Sequence, residues 1–408
     1  MNVYISGISG TGMGPLALMA KQAGFSVAGS DLAKGAIYDE LLQAGIEVEI
    51  GQQDGKFLAK KIEDGINWFV YTSALTEDHA ELVMAKEAGI KCTKRDDFTA
   101  YLVDKLGLKM VAVAGTHGKT TTTAMIIWTA LRLGLPVSYI VGTTLGFAVS
   151  GAYHAGDKYF IYEADEYDRN FLKYHPWLAV LPAVTYDHSD IYPTREDYVA
   201  AFLQFEKQSE NVVREGIEAD YRLAGDVRRK DASLAAAAIA KIMVDMGRTF
   251  GIDEITKILS EFPGVGRRFE RLSDGVYTDY AHHPEEIEAT IEVANEQAEM
   301  DHKKGVVVVY QPHQNIRQHE VKAGYHDVFK GASKIYWLPT YLTREDPKLA
   351  VITPEEFVAD LDNAEDAEPA KLDESLATKL REHVKNGDLV ILLTAGPADE
   401  WFRNVFRK

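Results

Sequence analysis

The chain has 408 residues, 46% hydrophobic and 26% charged, the usage of a folded protein rather than a disordered or fibrous one. That length exceeds one ordinary core, so two or three domains are expected, with clefts at their junctions. Lys plus Arg number 44 against 62 Asp plus Glu, a formal net charge of -18, which excludes non-specific binding to nucleic acid or an anionic membrane, so any phosphate ligand needs local donors.

The one cysteine, Cys92, allows neither an intrachain disulfide nor a cysteine-rich metal site, which fits a reducing cytoplasm. The start, Met-Asn-Val-Tyr-Ile-Ser-Gly, reads as a strand entering a glycine loop, without the basic and apolar run of a signal peptide. No later stretch has the length of a membrane span, and a cytoplasmic protein is expected.

Along the first hundred residues, short strands at Val3–Ile5 and Val27–Gly29 alternate with helical patterns at Leu16–Ala23 and Tyr38–Ala44, which predicts a parallel sheet. A polar connector ends near Gly107, and a strand over Met110–Ala114 runs into a second glycine loop and a helix over Thr122–Leu133, closed by Gly134 and Pro136. Strands follow at Tyr159–Tyr162 and Leu178–Leu181, then an Ala-rich helix at Ala232–Met246 and the break Phe262-Pro263-Gly264-Val265-Gly266. The last part alternates again, with strands at Gly305–Tyr310, Lys334–Leu338 and Asp388–Leu393 and a helix at Pro284–Ala298. The reading is three α/β domains with mainly parallel sheets, 1–107, 108–263 and 264–408. The acidic stretch Asp360–Asp373 reads as a solvated surface.

The strongest chemical signal is Gly115-Thr116-His117-Gly118-Lys119-Thr120-Thr121 between a strand and a helix. Backbone N–H groups of such a turn surround phosphate oxygens, Lys119 would reach the β/γ-phosphates and Thr120 a magnesium ion. It is not a strict Walker A, since the first glycine of that pattern falls on Val113. Glu163-Ala-Asp-Glu166-Tyr-Asp168 and Asp187-His188-Ser-Asp190 follow apolar strands, at the edge where α/β proteins bind ligands. Alone, each would read as a solvated loop; behind a phosphate loop they read as metal ligands. Gly7-Ile-Ser9-Gly10-Thr11-Gly12-Met13-Gly14, with Asp31 closing the next strand, has the form of a pyrophosphate-binding loop, a pattern of low specificity by itself. Later come Gly266-Arg267-Arg268-Phe269-Glu270, Asp279-Tyr280-Ala-His282-His283-Pro284 and Gln311-Pro-His313-Gln-Asn-Ile-Arg317. Arginines there can neutralise charge in phosphoryl transfer.

These motifs in this order resemble the Mur ligases of peptidoglycan synthesis, over nearly the whole chain. The resemblance implies a Rossmann-like UDP-sugar domain, a P-loop ATPase domain and a Rossmann-like domain that brings the amino substrate. It implies an ATP-dependent amide-forming ligase, a magnesium cofactor and an acyl-phosphate intermediate. Gly-Thr-Gly-Met-Gly, Ala28-Gly-Ser30-Asp31 and Tyr341-Leu-Thr-Arg344-Glu-Asp-Pro347 lean toward attachment of L-alanine to UDP-N-acetylmuramate. Glu-Ala-Asp-Glu-Tyr-Asp and Asn315 lean toward the recycling reaction, whose acceptor is the tripeptide L-Ala-γ-D-Glu-diaminopimelate.

Carried over residue by residue, the UDP-sugar would be held by Gly7, Ser9, Gly10, Thr11, Gly12, Met13, Gly14, Ser30, Asp31 and Ser73. ATP would be held by Gly115–Thr121 with Arg267 or Arg268, and metal by Thr120, Glu163 and His188. Tyr280, His282, His313, Arg317, Tyr341 and Arg344 would meet the acceptor, and Lys119, Glu163, His188, His282 and Arg317 carry the chemistry. Departures from the family pattern are Val227-Arg228 in place of a His-Asn pair, Gln314 in place of a basic residue, Thr394-Ala395-Gly396-Pro397 in the last loop, and a shortened segment between Val212 and Gly225. Two other readings are an NAD-dependent oxidoreductase, which gives Gly-Lys-Thr-Thr no purpose, and a non-catalytic nucleotide-binding regulator.

Overall fold

A computed structural model describes residues 1–408 except 73–74, 187–190, 344, 347 and 408. Among the described residues there are three sheets. The first comprises β1 (Asn2–Ser6), β2 (Ser26–Asp31), β3 (Glu47–Ile50), β4 (Trp68–Tyr71) and β5 (Lys91–Lys94), all parallel, in the order β3-β2-β1-β4-β5. The second has β6 (Lys109–Val113), β7 (Val137–Ile140), β8 (Gly151–Ala152), β9 (Tyr159–Glu163), β10 (Leu178–Val180) and β11 (Asn211–Val213), ordered β11-β10-β6-β9-β7-β8. The third has β12 (Glu270–Ser273), β13 (Val276–Asp279), β14 (Val306–Gln311), β15 (Lys334–Trp337), β16 (Ala367–Pro369) and β17 (Leu389–Thr394), ordered β12-β13-β17-β14-β15-β16. Only the β7–β8 and β12–β13 pairs are antiparallel.

The three-domain α/β layout therefore stands. Its cause is visible in the central strands: Val-Val-Val-Val-Tyr-Gln of β14 and Leu-Val-Ile-Leu-Leu-Thr of β17 are buried at every position, as strands covered on both faces must be. In the first sheet the order reverses at β1, and the crevice beyond the carboxyl end of such a strand is where α/β sheets take ligands.

By packing, the chain forms two compact units, Met1–Tyr221 with Lys230–Phe262, and Arg222–Arg229 with Pro263–Lys408. In the first unit, one apolar core runs from Val3 and Leu16 through Phe98 and Ala112 to Phe160 and Phe202, joining both sheets. Polar ties reinforce it: Ser150 donates its N–H (3.1 Å) and hydroxyl (3.0 Å) to Glu40, and the Tyr153 N–H donates to Gln22 (2.6 Å). Two element boundaries differ from expectation. The helix after the second glycine loop starts at Lys119, because Gly118 turns the chain at φ 81, and the Ala-rich helix starts six residues early, at Asp226.

Candidate active site

The loop after β6 is pinned from both sides. The Thr116 N–H donates to the Ala183 carbonyl (2.7 Å), and the Thr116 hydroxyl lies 2.6 Å from the Thr185 carbonyl and 2.8 Å from the Tyr198 hydroxyl. A Cβ at Gly115 would stand 2.6 Å from the Ala183 carbonyl oxygen, so only glycine fits that approach. Gly118, left-handed, packs on buried Asp231, which accepts the Thr122 hydroxyl at 3.1 Å. His117 is exposed, and Thr121 half-buried.

Lys119 then opens the helix Lys119–Arg132 with its ammonium turned back over the loop, 2.6 Å from the Gly115 carbonyl and 2.9 Å from the Glu166 carboxylate. The Thr120 hydroxyl donates to Glu163 at 2.8 Å, from the end of the adjacent β9. Burial pushes the Glu163 carboxyl up, opposed by the Thr120 hydrogen bond and the Lys119 charge; burial also raises Glu166, against the same lysine. The second Glu163 oxygen is buried without a hydrogen-bond partner. A hydroxyl and a carboxylate oxygen left open beside a phosphate loop fit a hard divalent cation. Among the described residues no three His, Cys, Asp or Glu side chains gather as a metal cluster, and His188 lies outside those residues.

The first glycine loop meets the second in one cavity of about 190 Å³, lined by Thr11, Gly12, Arg95, Lys119, Ile140, Gly142, Tyr162, Glu163 and Asp165. In the loop 7–14, the N–H groups of Gly7, Ile8, Ser9, Gly10, Met13 and Gly14 are bonded internally or to Ser30 and Asp31. Those of Thr11 and Gly12 have no bond among the described residues, so they are the donors left for a ligand.

Three side chains expected at this loop have partners within the protein. The Met13 side chain is 4% exposed and part of the apolar core. Asp31 accepts the N–H of Ser9 in the loop on one carboxylate oxygen and that of Leu32, the next residue in the chain, on the other, at 2.8 Å each. Ser30 is fully buried and donates to Glu81 at 2.7 Å, because that buried carboxylate, also bound by Tyr4, Ser6 and Gln53, needs donors. Ser73 lies outside the described residues.

Arg95 is the residue that sequence reading missed. It opens the helix Arg95–Leu106 directly after β5, and no motif marks it. Its Nε and Nη2 each lie 3.2 Å from Asp96, a carboxylate 4% exposed that also accepts the hydroxyls of Tyr162 (3.2 Å) and Tyr174 (3.0 Å). The neighbouring Tyr162 oxygen and Asp96 push the guanidinium further toward its charged form.

In the second unit, Tyr280 and His282 follow β13, His313 follows β14, and Tyr341 lies beyond β15. The rings form a chain: Tyr280 to His282 at 5.4 Å, His282 to His313 at 6.2 Å, His313 to Tyr341 at 5.7 Å. Burial and the nearby charge of Arg317 lower the His313 pKa, favouring a neutral imidazole. Arg267 and Arg268 both lie over the Tyr280 ring, at 4.7 and 5.0 Å. They differ, since Arg267 donates to the Thr394 carbonyl at 2.5 Å and is held to that loop, whereas the Arg268 guanidinium makes no hydrogen bond among the described residues. Asn315 donates to the Ala350 carbonyl (3.0 Å) and accepts the Ile352 N–H (3.1 Å). Glu345 accepts the N–H groups of Asn315 (3.0 Å) and Ile316 (3.3 Å) at the start of the helix that carries Arg317. Arg344 lies outside the described residues.

A phosphate loop on a parallel sheet, with a carboxylate on the next strand and a second glycine loop across a shared cavity, defines a P-loop nucleotide-binding α/β protein. Residues 2–105 match the catalytic domain of the Mur ligase family, 113–233 the Mur ligase middle domain, and 267–396 the Mur ligase, glutamate ligase domain. The UDP-N-acetylmuramate--L-alanine ligase of Thermosynechococcus vestitus is 30% identical over 98% of this chain and 94% of its own length. The crystal structure of such a ligase from Thermotoga maritima is similar at a TM-score of 0.75, with 20% identity, covering 99% of this chain and 98% of that one. A murein peptide ligase from Psychrobacter arcticus is similar at 0.58, with 21% identity over 100% and 97% of the two chains. The chain belongs to the Mur ligase family.

Proposed function

We propose that this chain attaches L-alanine to the lactyl carboxylate of UDP-N-acetylmuramate, at the expense of ATP, in the cytoplasmic phase of peptidoglycan synthesis. The observation that carries the reading is that both glycine loops open on one cavity, with Lys119 and Glu163 on its wall. A sugar-nucleotide on Thr11 and Gly12 and a triphosphate on the Gly115–Thr121 loop would there bring carboxylate and γ-phosphate together. The domain limits 1–107, 108–263 and 264–408 are part of this reading.

A carboxylate does not condense with an amine in water, because it is resonance-stabilised and its leaving group is poor. One carboxylate oxygen attacks the γ-phosphorus, the bond to the β–γ bridging oxygen breaks, and ADP leaves with that electron pair. The resulting acyl phosphate is attacked by the amine, which loses a proton as phosphate departs. Lys119 holds the phosphates throughout. Thr120 and Glu163, with His188, would hold magnesium, which neutralises phosphoryl charge when bound. Tyr280, His282, His313 and Tyr341 would surround the amine, Arg317 would take the acceptor carboxylate, and Arg267 or Arg268 would clamp the nucleotide.

The test is phosphate release and product mass with magnesium, ATP, UDP-N-acetylmuramate and each acceptor in turn. Release that needs both co-substrates and is fastest with L-alanine is expected. Preference for the L-Ala-γ-D-Glu-diaminopimelate tripeptide would move the chain to the recycling reaction, and NAD(H) turnover without phosphate release would overturn the ligase reading.

A further inference from the structure

We propose that Arg95 is the group that receives the substrate carboxylate, an inference that rests on the function proposed above. Bringing a carboxylate to a triphosphate sets like charges together, a repulsion of about 1 kcal/mol per charge pair in water at 4 Å and several times that at a shielded site. The cavity wall already carries Glu163 and Asp165, and among the described residues its only cations are Lys119 and Arg95. Lys119 belongs to the phosphate loop. Arg95 is the one left for the second anion.

The geometry suits that task. Asp96 occupies the Nε and Nη2 side of the guanidinium, and Nη1 makes no hydrogen bond among the described residues. Nη1 lies against the bare backbone of Gly12, where a Cβ would come within 2.6 Å of it. The open end of a planar fork thus lies beside the unbonded N–H groups of Thr11 and Gly12, and such a fork matches carboxylate oxygens. Asp96 is held by Tyr162, the residue before Glu163 on β9, so the fork is fixed to the strand that carries the carboxylate beside Thr120. Arg95 therefore sets the distance between the sugar-borne acid and the phosphate loop.

Binding of UDP-N-acetylmuramate and of UDP-N-acetylglucosamine, which lacks the lactyl carboxylate, separates this role from a hold on the diphosphate. In Arg95→Gln, affinity for UDP-N-acetylmuramate should fall about tenfold or more, the scale of a charge-assisted hydrogen bond, with UDP-N-acetylglucosamine unaffected. Arg95→Lys should lie between, and KM for ATP should stay within about twofold of wild type. Equal loss for both sugar-nucleotides, or a shift in the ATP KM alone, overturns the assignment. So does an unchanged preference for the muramate in a variant that melts like wild type. Wild-type protein that binds no UDP-N-acetylmuramate at all sinks the function reading itself, a distinguishable failure.

Discussion

Lys119 is held by neutral carbonyls and by Glu166, so its charge is already placed before any nucleotide arrives. Removing it leaves the loop intact, because Thr116 and Gly118 make the contacts that shape the turn. Lys119→Ala should therefore lower kcat about a hundredfold or more, the usual effect of deleting one fixed transition-state donor, while UDP-N-acetylmuramate still binds. Retained turnover would remove this loop from the mechanism. In the second unit, Glu286 illustrates a charge held by hydrogen bonds. Burial alone would raise its carboxyl, but the His282 side chain and the backbone N–H groups of His282 and His283 pull it to about 2. Its folded value lies below the ordinary 4.5, so it stabilises the fold above that pH and loses the contribution as pH falls toward about 2. Amide exchange in β14 and β17 should show wild type weakening across that window, and Glu286→Gln less sensitive there; identical acid profiles would contradict the assignment.

The elements are positioned by buried polar ties as much as by apolar packing. Glu81, on the helix Ala80–Glu87, is fully buried and takes hydrogen bonds from Tyr4 and Ser6 on β1, Ser30 on β2, and Gln53. It joins the ends of β1 and β2, from which the first glycine loop hangs. Glu81→Ala would strand the three buried hydroxyl donors Tyr4, Ser6 and Ser30, and a loss of about 3 kcal/mol or more is expected, read as a lower melting temperature. A change within about 0.5 kcal/mol would show that water replaces the carboxylate easily. Such ties explain where the sequence was legible. Strands that are buried throughout, such as β14 and β17, and loops with a chemical signature, such as Gly115–Thr121, can be read from residue order. Ser30 could not, because its hydroxyl serves a residue 51 positions away. Arg95 could not either: Lys-Arg-Asp-Asp looks like a solvated helix start, and only the tertiary approach of Gly12, Asp96 and Tyr162 gives it a purpose.

At the scale of the whole chain, the two units divide the work. Thr11, Gly12, Arg95, Lys119, Thr120 and Glu163 all lie in the unit Met1–Tyr221 with Lys230–Phe262, whereas the His282, His313 and Arg317 group lies in the other. No helix among the described residues is long and apolar enough to cross a membrane. A ligand that binds only the folded state adds about 2.7 kcal/mol, at roughly 100 times Kd, to the stability of the unit whose opening breaks its contacts. UDP-N-acetylmuramate alone should then slow amide exchange at Thr11 and Gly12, whose N–H groups are otherwise unbonded, and across β1, β4 and β6. Exchange in β14 and β17 should not change, because their unit contributes none of the proposed sugar-nucleotide contacts. Protection that appeared first in β14 and β17, with Thr11 and Gly12 still exchanging freely, would place the sugar-nucleotide on the C-terminal sheet and reverse the roles assigned to the two units.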